Sequence, residues 1–311
     1  MGIVLILFSL SETLLPSGVK IIRDEPNLSK QISLGLEINP HSFLSIKAKG
    51  LFMKRGYNYL YLKNADSLPI LLRFVHLLSM DSLFYPRATE SPMNLLRLTL
   101  RDYGGNTSPV INVTVAITGR VDEYYIMHLF SSIPDSVISN ISNYYTLKPL
   151  QGKHIYYGNK DFIANISPNP DDDGFLSFLV CLQIISDRGF DVEFSPETAP
   201  SPFVIHVNEN DVGLIFKKPV VKEVKEGINQ VYNWMESELD ERNRSQLLIM
   251  GAEMGINREK FRNWAKSLSY LTIPQLREIW ERYLLDGFIS SSSQETCSLL
   301  IQLFPEAEVI R

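Results

Sequence analysis

The sequence predicts an α+β chain: an antiparallel β-sandwich or jelly-roll-like domain over residues 1–218, followed by a helical domain over residues 219–311. Three observations predict it. All three tryptophans (Trp234, Trp264, Trp280) lie beyond residue 220, while all five histidines lie before it. Fourteen of the seventeen prolines fall before residue 216, where they punctuate short apolar runs. After Pro219 the hydrophobic period changes from about two residues to about 3.6. At 311 residues the chain also exceeds the length at which a single hydrophobic core usually stops growing.

Taken in order, Ile3 to Phe8 is a short apolar run with no basic residue before it, and it reads as a buried first strand rather than a signal-peptide core. Residues 19–24 and 31–38 alternate loosely around a turn at Asp24–Asn27. Leu44–Lys49 and Tyr57–Lys63 form a second pair around the basic turn Lys54-Arg55-Gly56. Leu68–Leu78 is apolar apart from Arg73 and His76, and suits either a strand buried on both faces or a short helix. Leu96, Leu98 and Leu100 alternate with Arg97, Thr99 and Arg101 before a turn at Asp102–Asn106, and Val113, Val115 and Ile117 continue the two-residue period. Tyr124–Phe130 reads as an aromatic strand, and Asp135–Tyr145 as a short helix capped by Asp135. Further strands fit 154–157, 161–166, 202–207 and 212–216, and Ser177–Ile185 is a strongly apolar run behind Asp171-Asp172-Asp173-Gly174.

In the tail, Val221, Val224, Ile228, Val231, Tyr232 and Met235 share one helix face. Ser245–Met254 makes a second helix stopped by Gly255, and Asn257 caps a third with Phe261, Trp264 and Leu268 inward. Thr272 and Pro274 start a fourth, and the serines 290–293 cap a last helix running to Phe304. No internal repeat is visible in the sequence.

Composition excludes several classes. Apolar content of 45% with 21% charged residues argues against disorder, and a net charge of −5 gives no global attraction to nucleic acid. Cys181 and Cys297 cannot build a disulfide framework, and no two histidines stand at a metal-ligand spacing, so no metal or cofactor is expected. Six Asn-x-Ser/Thr sequons (Asn27, Asn106, Asn112, Asn140, Asn165, Asn243) are about twice the chance number in a chain this rich in Asn, Ser and Thr, so they are weak evidence for secretion. No apolar stretch reaches the roughly 20 residues of a spanning helix.

Two clusters carry possible chemistry. The triple aspartate Asp171–Asp173 offers carboxylates to a divalent cation, or else is a polar turn without the alternation of a calcium loop. Lys47, Lys49, Lys54, Arg55 and Lys63 are interleaved with Tyr57 and other aromatics, a pairing of cations and stacking faces that suits single-stranded nucleic acid. The same lysines equally suit a solvated edge hairpin protected against strand pairing. No nucleophile elbow or phosphate-cradling glycine loop is present.

The segment Val75-His76-Leu77-Leu78, the loop Tyr85-Pro86-Arg87 and the strand Leu96–Arg101 ending in Asp102 resemble the core of the thirty-kilodalton superfamily of plant virus movement proteins. The resemblance covers residues 68–135. It departs from the family pattern at Met93 and Asn94, where a glycine is common, and in the charge-balanced tail. It implies a jelly-roll-like domain and a non-enzymatic role in carrying viral nucleic acid through plasmodesmata, at the cytoplasmic side of host membranes. The partners it implies are single-stranded nucleic acid, a peripheral membrane surface and further copies of the chain. Only Asp102 and His76 carry over, Asp102 as a residue that fixes a turn at a strand end. The alternatives are a jelly-roll capsid or matrix protein and a hydrolase on the β scaffold.

Overall fold

Among the described residues, two six-stranded sheets organise the fold. The structure is a computed structural model and describes residues 9–25, 30–38, 44–46, 54–55, 59–62, 68–78, 84–86, 92, 95–96, 110–119, 121–134, 138, 148–194, 196, 200–208, 211–240 and 243–310. The first sheet contains β1 (Ser9–Leu14), β2 (Val19–Glu25), β3 (Gln31–Ile38), β5 (Lys54–Arg55), β6 (Tyr59–Leu62) and β8 (Val110–Thr118), in the order β1-β2-β8-β3-β6-β5. A small separate ribbon pairs β4 (Leu44–Ile46) with β7 (Phe84–Pro86). The second sheet contains β9 (Gly152–Tyr157), β10 (Phe162–Ile166), β11 (Asp191–Glu193), β12 (Pro202–His206), β13 (Gly287–Ser292) and β14 (Glu308–Ile310), in the order β11-β12-β10-β13-β9-β14.

The two sheets repeat one topology. In chain order β2, β3, β5, β6 and β8 match β9, β10, β11, β12 and β13. In each set the first and last strands are parallel neighbours, and every other neighbouring pair is antiparallel. A helix follows the last strand in both cases: α2 (Glu123–Ser131) after β8 and α9 (Gln294–Leu303) after β13. The duplication lies in strand order, which tolerates complete divergence of side chains, and so leaves no repeat in the sequence.

Alternation along the strands splits each sheet into two apolar faces. Ile21, Ile32, Leu34, Val113, Val115 and Ile117 face α1 (Leu68–Leu78) and α2, with Phe74 and Phe130 in a tilted ring contact between those helices. In the second sheet Ile155, Ile163, Phe203, Ile205 and Phe288 face α3 (Phe175–Asp187). Around α3 pack α5 (Val221–Glu238), α7 (Arg258–Leu268) and α8 (Ile273–Trp280). The opposite faces are covered by exchange. Ile249 of α6 (Arg244–Met254) packs on Ala116 of the first sheet, while Arg244 binds Asp24 at 2.6 Å and Ser245 meets Ser33 at 2.7 Å. Leu95 and Leu96 in turn pack on Phe162, Ala164, Ile166, Val204 and Ile289 of the second sheet.

Several expectations change. Both sheets are mixed, not antiparallel, because β2–β8, β9–β13 and β9–β14 are parallel pairs. Of the two readings open for Leu68–Leu78 the helix is the one adopted, as α1, while Leu95 and Leu96 are helical where the sequence predicts a strand from Leu96. The aromatic run Tyr124–Phe130 lies in helix α2, where Asp122 accepts the Tyr125 N–H at 3.1 Å. Ile126, Leu129 and Phe130 turn inward while Tyr124 stays exposed, so the run is amphipathic at a helical period. Val212–Phe216 forms the one-turn helix α4 (Val212–Ile215) rather than a strand. The run Ser177–Ile185 belongs to α3, whose periodicity is hidden because the helix is buried on all sides. Of the four serines, Ser290, Ser291 and Ser292 are fully buried strand residues, and only Ser293 caps α9. The boundary expected at 218/219 falls between α4 and α5, and strands from both sides of it share the second sheet. The runs at Ile3–Phe8 and Asp102–Asn106, and nearly all of Asp135–Tyr145, lie outside the described residues.

Candidate functional site

A cleft with a polar lining sits at the N-terminus of α3. The turn before it is held by its own side chains: Asp172 accepts the Asn169 N–H at 2.9 Å, and Asn169 accepts the Asp171 N–H at 2.9 Å. Gly174 leads into the helix so close to α8 that a Cβ there would collide with Ile279. The turn and α8 therefore form the two walls of a cleft of about 570 Å³. Asp171, Asp172 and Asp173 stand on one wall, Gln275, Glu278 and Arg282 on the other, with Ser177 and Tyr283 also lining it. Lys260 from α7 neutralises Asp171 at 2.5 Å, and Arg282 reaches Glu278 one turn away at 3.3 Å. Burial raises the Tyr283 hydroxyl above its usual range, with Arg282 opposing and Asp172 adding to the rise.

Two hydrogen-bonding hubs brace α3 and its neighbours. Asn165 on β10 is fully buried. Its amide oxygen accepts the Leu150 N–H at 2.8 Å, and its amide nitrogen donates to the carbonyls of Tyr283 (3.2 Å) and Gly287 (2.6 Å). The π-helical turn Glu281–Leu285 is thereby tied to β13, and a Cβ at Gly287 would run into the Leu150 carbonyl. At the other end of α3, Arg188 forks onto both oxygens of Glu223 at 2.9 Å, donates to the carbonyls of Leu214 and Lys217, and lies 5.0 Å over the Trp280 ring. Its guanidinium holds the Glu223 carboxyl below the usual carboxylate range.

Of the binding and hallmark residues singled out from the sequence, the structure describes Lys54, Arg55 and His76. Lys54 and Arg55 form the edge strand β5, paired with Tyr61 and Leu60. Lys47, Lys49, Tyr57, Lys63 and Asp102 lie outside the described residues. His76 is exposed on α1, on a helix and not on the strand the family pattern requires. His154 meets Glu308 at 3.1 Å and His206 meets Glu193 at 2.9 Å, at opposite edges of the second sheet. The bond to Glu193 raises the His206 pKa above its usual value. Among the described residues no group of three His, Cys, Asp or Glu is placed to hold a metal ion. Cys181 and Cys297 are buried and free; burial drives the Cys181 thiol far up and the Cys297 thiol up to about 11. Asn165, one of the six sequons, is 0% exposed and out of reach of glycosylation in the folded chain. Ser177, Glu278 and Tyr283 carried no signal of their own; only the Asp171–Asp173 run marked the cleft.

Comparison with solved structures decides the fold. A peptidase M16 inactive domain from Pseudomonas fluorescens matches over 92% of this chain and 98% of its own, with a TM-score of 0.54 and 13% identity. This chain shares that fold. A protease from Helicobacter pylori (92% and 100% covered, TM-score 0.49, 12% identity) is also similar. So is a predicted insulinase family protease from Yersinia pestis (94% and 96% covered, TM-score 0.47, 14% identity). No family model matches the sequence. No curated protein matches it either. The fold shared with the Pseudomonas fluorescens domain overturns the resemblance to plant virus movement proteins, and the transport role and plasmodesmal location lose their support with it. A jelly-roll capsid or matrix protein fits no better, because the sheets are mixed and follow the M16 fold. No helix among the described residues is long and apolar enough to cross a membrane.

Proposed function

We propose that this chain is a non-catalytic M16-type domain that acts by binding, not by cleaving peptides. The observation that carries the reading is the histidine distribution. His41, His76, His128, His154 and His206 are all more than twenty residues apart, and none is followed by a second histidine at the His-x-x-Glu-His or His-Glu-x-x-His spacing of zinc peptidases. Zinc hydrolysis needs three protein ligands around one open position, and a helix supplies two of them only when they are three or four residues apart. The fold neighbour from Pseudomonas fluorescens is itself described as inactive, which supports the same reading.

Metal analysis of the purified protein together with a fluorogenic peptide mixture tests it. The proposal requires zinc far below one ion per chain and no cleavage above the buffer rate. Stoichiometric zinc with chelator-sensitive hydrolysis would overturn it and restore the hydrolase reading. Self-association, which only the movement-protein resemblance implied, is the first binding mode to test, by light scattering of eluted protein. Single-strand binding at the Lys54–Arg55 edge is a separate proposal, tested by a salt-dependent gel shift.

A further inference from the structure

The cleft between the Asp171–Gly174 turn and α8 has the features of a ligand site, and its donors and acceptors say what kind. Ser177 is 2% exposed yet lines the cleft, and its hydroxyl has no hydrogen-bond partner among the described residues. The hydroxyl keeps its lone pairs open toward the cleft, where a ligand or water takes them up. Asp173 makes no hydrogen bond or ion pair among the described residues, and Asp172 spends only Oδ2 on its turn. Arg282 is engaged with Glu278, and Lys260 with Asp171. After those pairs cancel, the open charge of the cleft is negative. An anionic ligand at the helix N-terminus would meet these carboxylates; a cation meets unpaired acceptors. Pro168 and Ile279 add apolar wall, and about 570 Å³ admits a group larger than a bare ion.

We propose that this cleft binds an organic cation, a guanidinium or primary ammonium group on an aliphatic stem, with Asp172, Asp173 and the Ser177 hydroxyl as acceptors. The stem lies along Pro168 and Ile279, and the charged head replaces the water that the two aspartates would otherwise hold. This site is independent of the non-catalytic reading, since it involves no metal and no bond cleavage.

The test is calorimetric titration of the full chain with N-acetyl-arginine amide, and with the matching citrulline amide as a neutral isostere. Binding of the arginine compound is expected, weaker at raised salt, with the citrulline compound bound at least tenfold more weakly. Asp173→Asn and Ser177→Ala should each weaken it about ten- to a hundredfold, the range for a hydrogen bond to a charged group. Circular dichroism of both variants separates loss of binding from loss of fold; Asp173 is exposed and makes no contact that folding needs. Equal binding of the citrulline compound, no binding at millimolar ligand, or unchanged affinity in both folded variants would overturn the proposal.

Discussion

Replacing Asn165 with alanine tests whether the buried amide on β10 holds the second sheet to the π-helical turn. The substitution removes the acceptor of the Leu150 N–H and the donor to the carbonyls of Tyr283 and Gly287, and Asn165 is 0% exposed, so water cannot take its place. Each buried polar group left unpaired costs about 1–3 kcal/mol. The three groups together give a loss of about 3–9 kcal/mol, a large share of the roughly 5–15 kcal/mol that stabilises an ordinary domain. Urea unfolding followed by tryptophan fluorescence reads the loss, with Trp280 adjoining the turn that Asn165 ties down. Asn165→Asp supplies a second arm. It keeps the acceptor but points a carboxylate at two carbonyls, so it should be less stable than Asn165→Ala at neutral pH and recover part of the difference in acid. A loss below about 1 kcal/mol for Asn165→Ala would refute the assignment of this hub.

Arg188→Ala should cost about 2–4 kcal/mol, because it strands the Glu223 carboxylate and two carbonyls, and urea unfolding measures it. The Glu223 carboxyl is depressed in the fold, so this stabilisation is complete above the ordinary carboxylate pKa and is lost as pH falls through the lowered value. The stability difference between wild type and Glu223→Gln should therefore shrink in acid. The His206–Glu193 pair has the opposite sign. The folded pKa of His206 is raised, so its contribution is full below the ordinary value of about 6.5 and disappears as pH rises through the raised one. Half-exposed, the pair is worth less than about 1 kcal/mol, and an NMR titration of His206 that moves down in Glu193→Gln is the sensitive readout.

Local elements were legible wherever one face was buried and the other wet. The strands at 19–25, 31–38, 110–118 and 202–206 and the helices from Val221 onward follow directly from their periods and caps, with Asn257, Thr272 and Ser293 capping as expected. What failed had lost that asymmetry. α3 is apolar all round because it is covered on every side, and β13 is carried by three serines that read as a cap. Those serines are tolerated in the sheet interior because the hydroxyls of Ser290 and Ser292 bond each other at 2.7 Å. The tryptophan–histidine division is a real change of local period, but the second sheet crosses it, since β13 and β14 return to flank β9. Such a return is a long-range pairing that no local window contains. The cleft was half legible. The aspartate run marked its position, while Ser177 and Tyr283 acquire their roles only when α8 and the π-helical turn close over the N-terminus of α3.

The central structural claim is that residues on both sides of Pro219 build one sheet. Expression of residues 1–218 alone, followed by circular dichroism and urea unfolding, tests it most directly. Without β13 and β14, β9 loses both of its partners and the face of α3 loses α5, α7 and α8. The account predicts a fragment that unfolds without a cooperative transition and exposes hydrophobic surface to dye. A fragment that unfolds cooperatively with protected amides in β9 would contradict it.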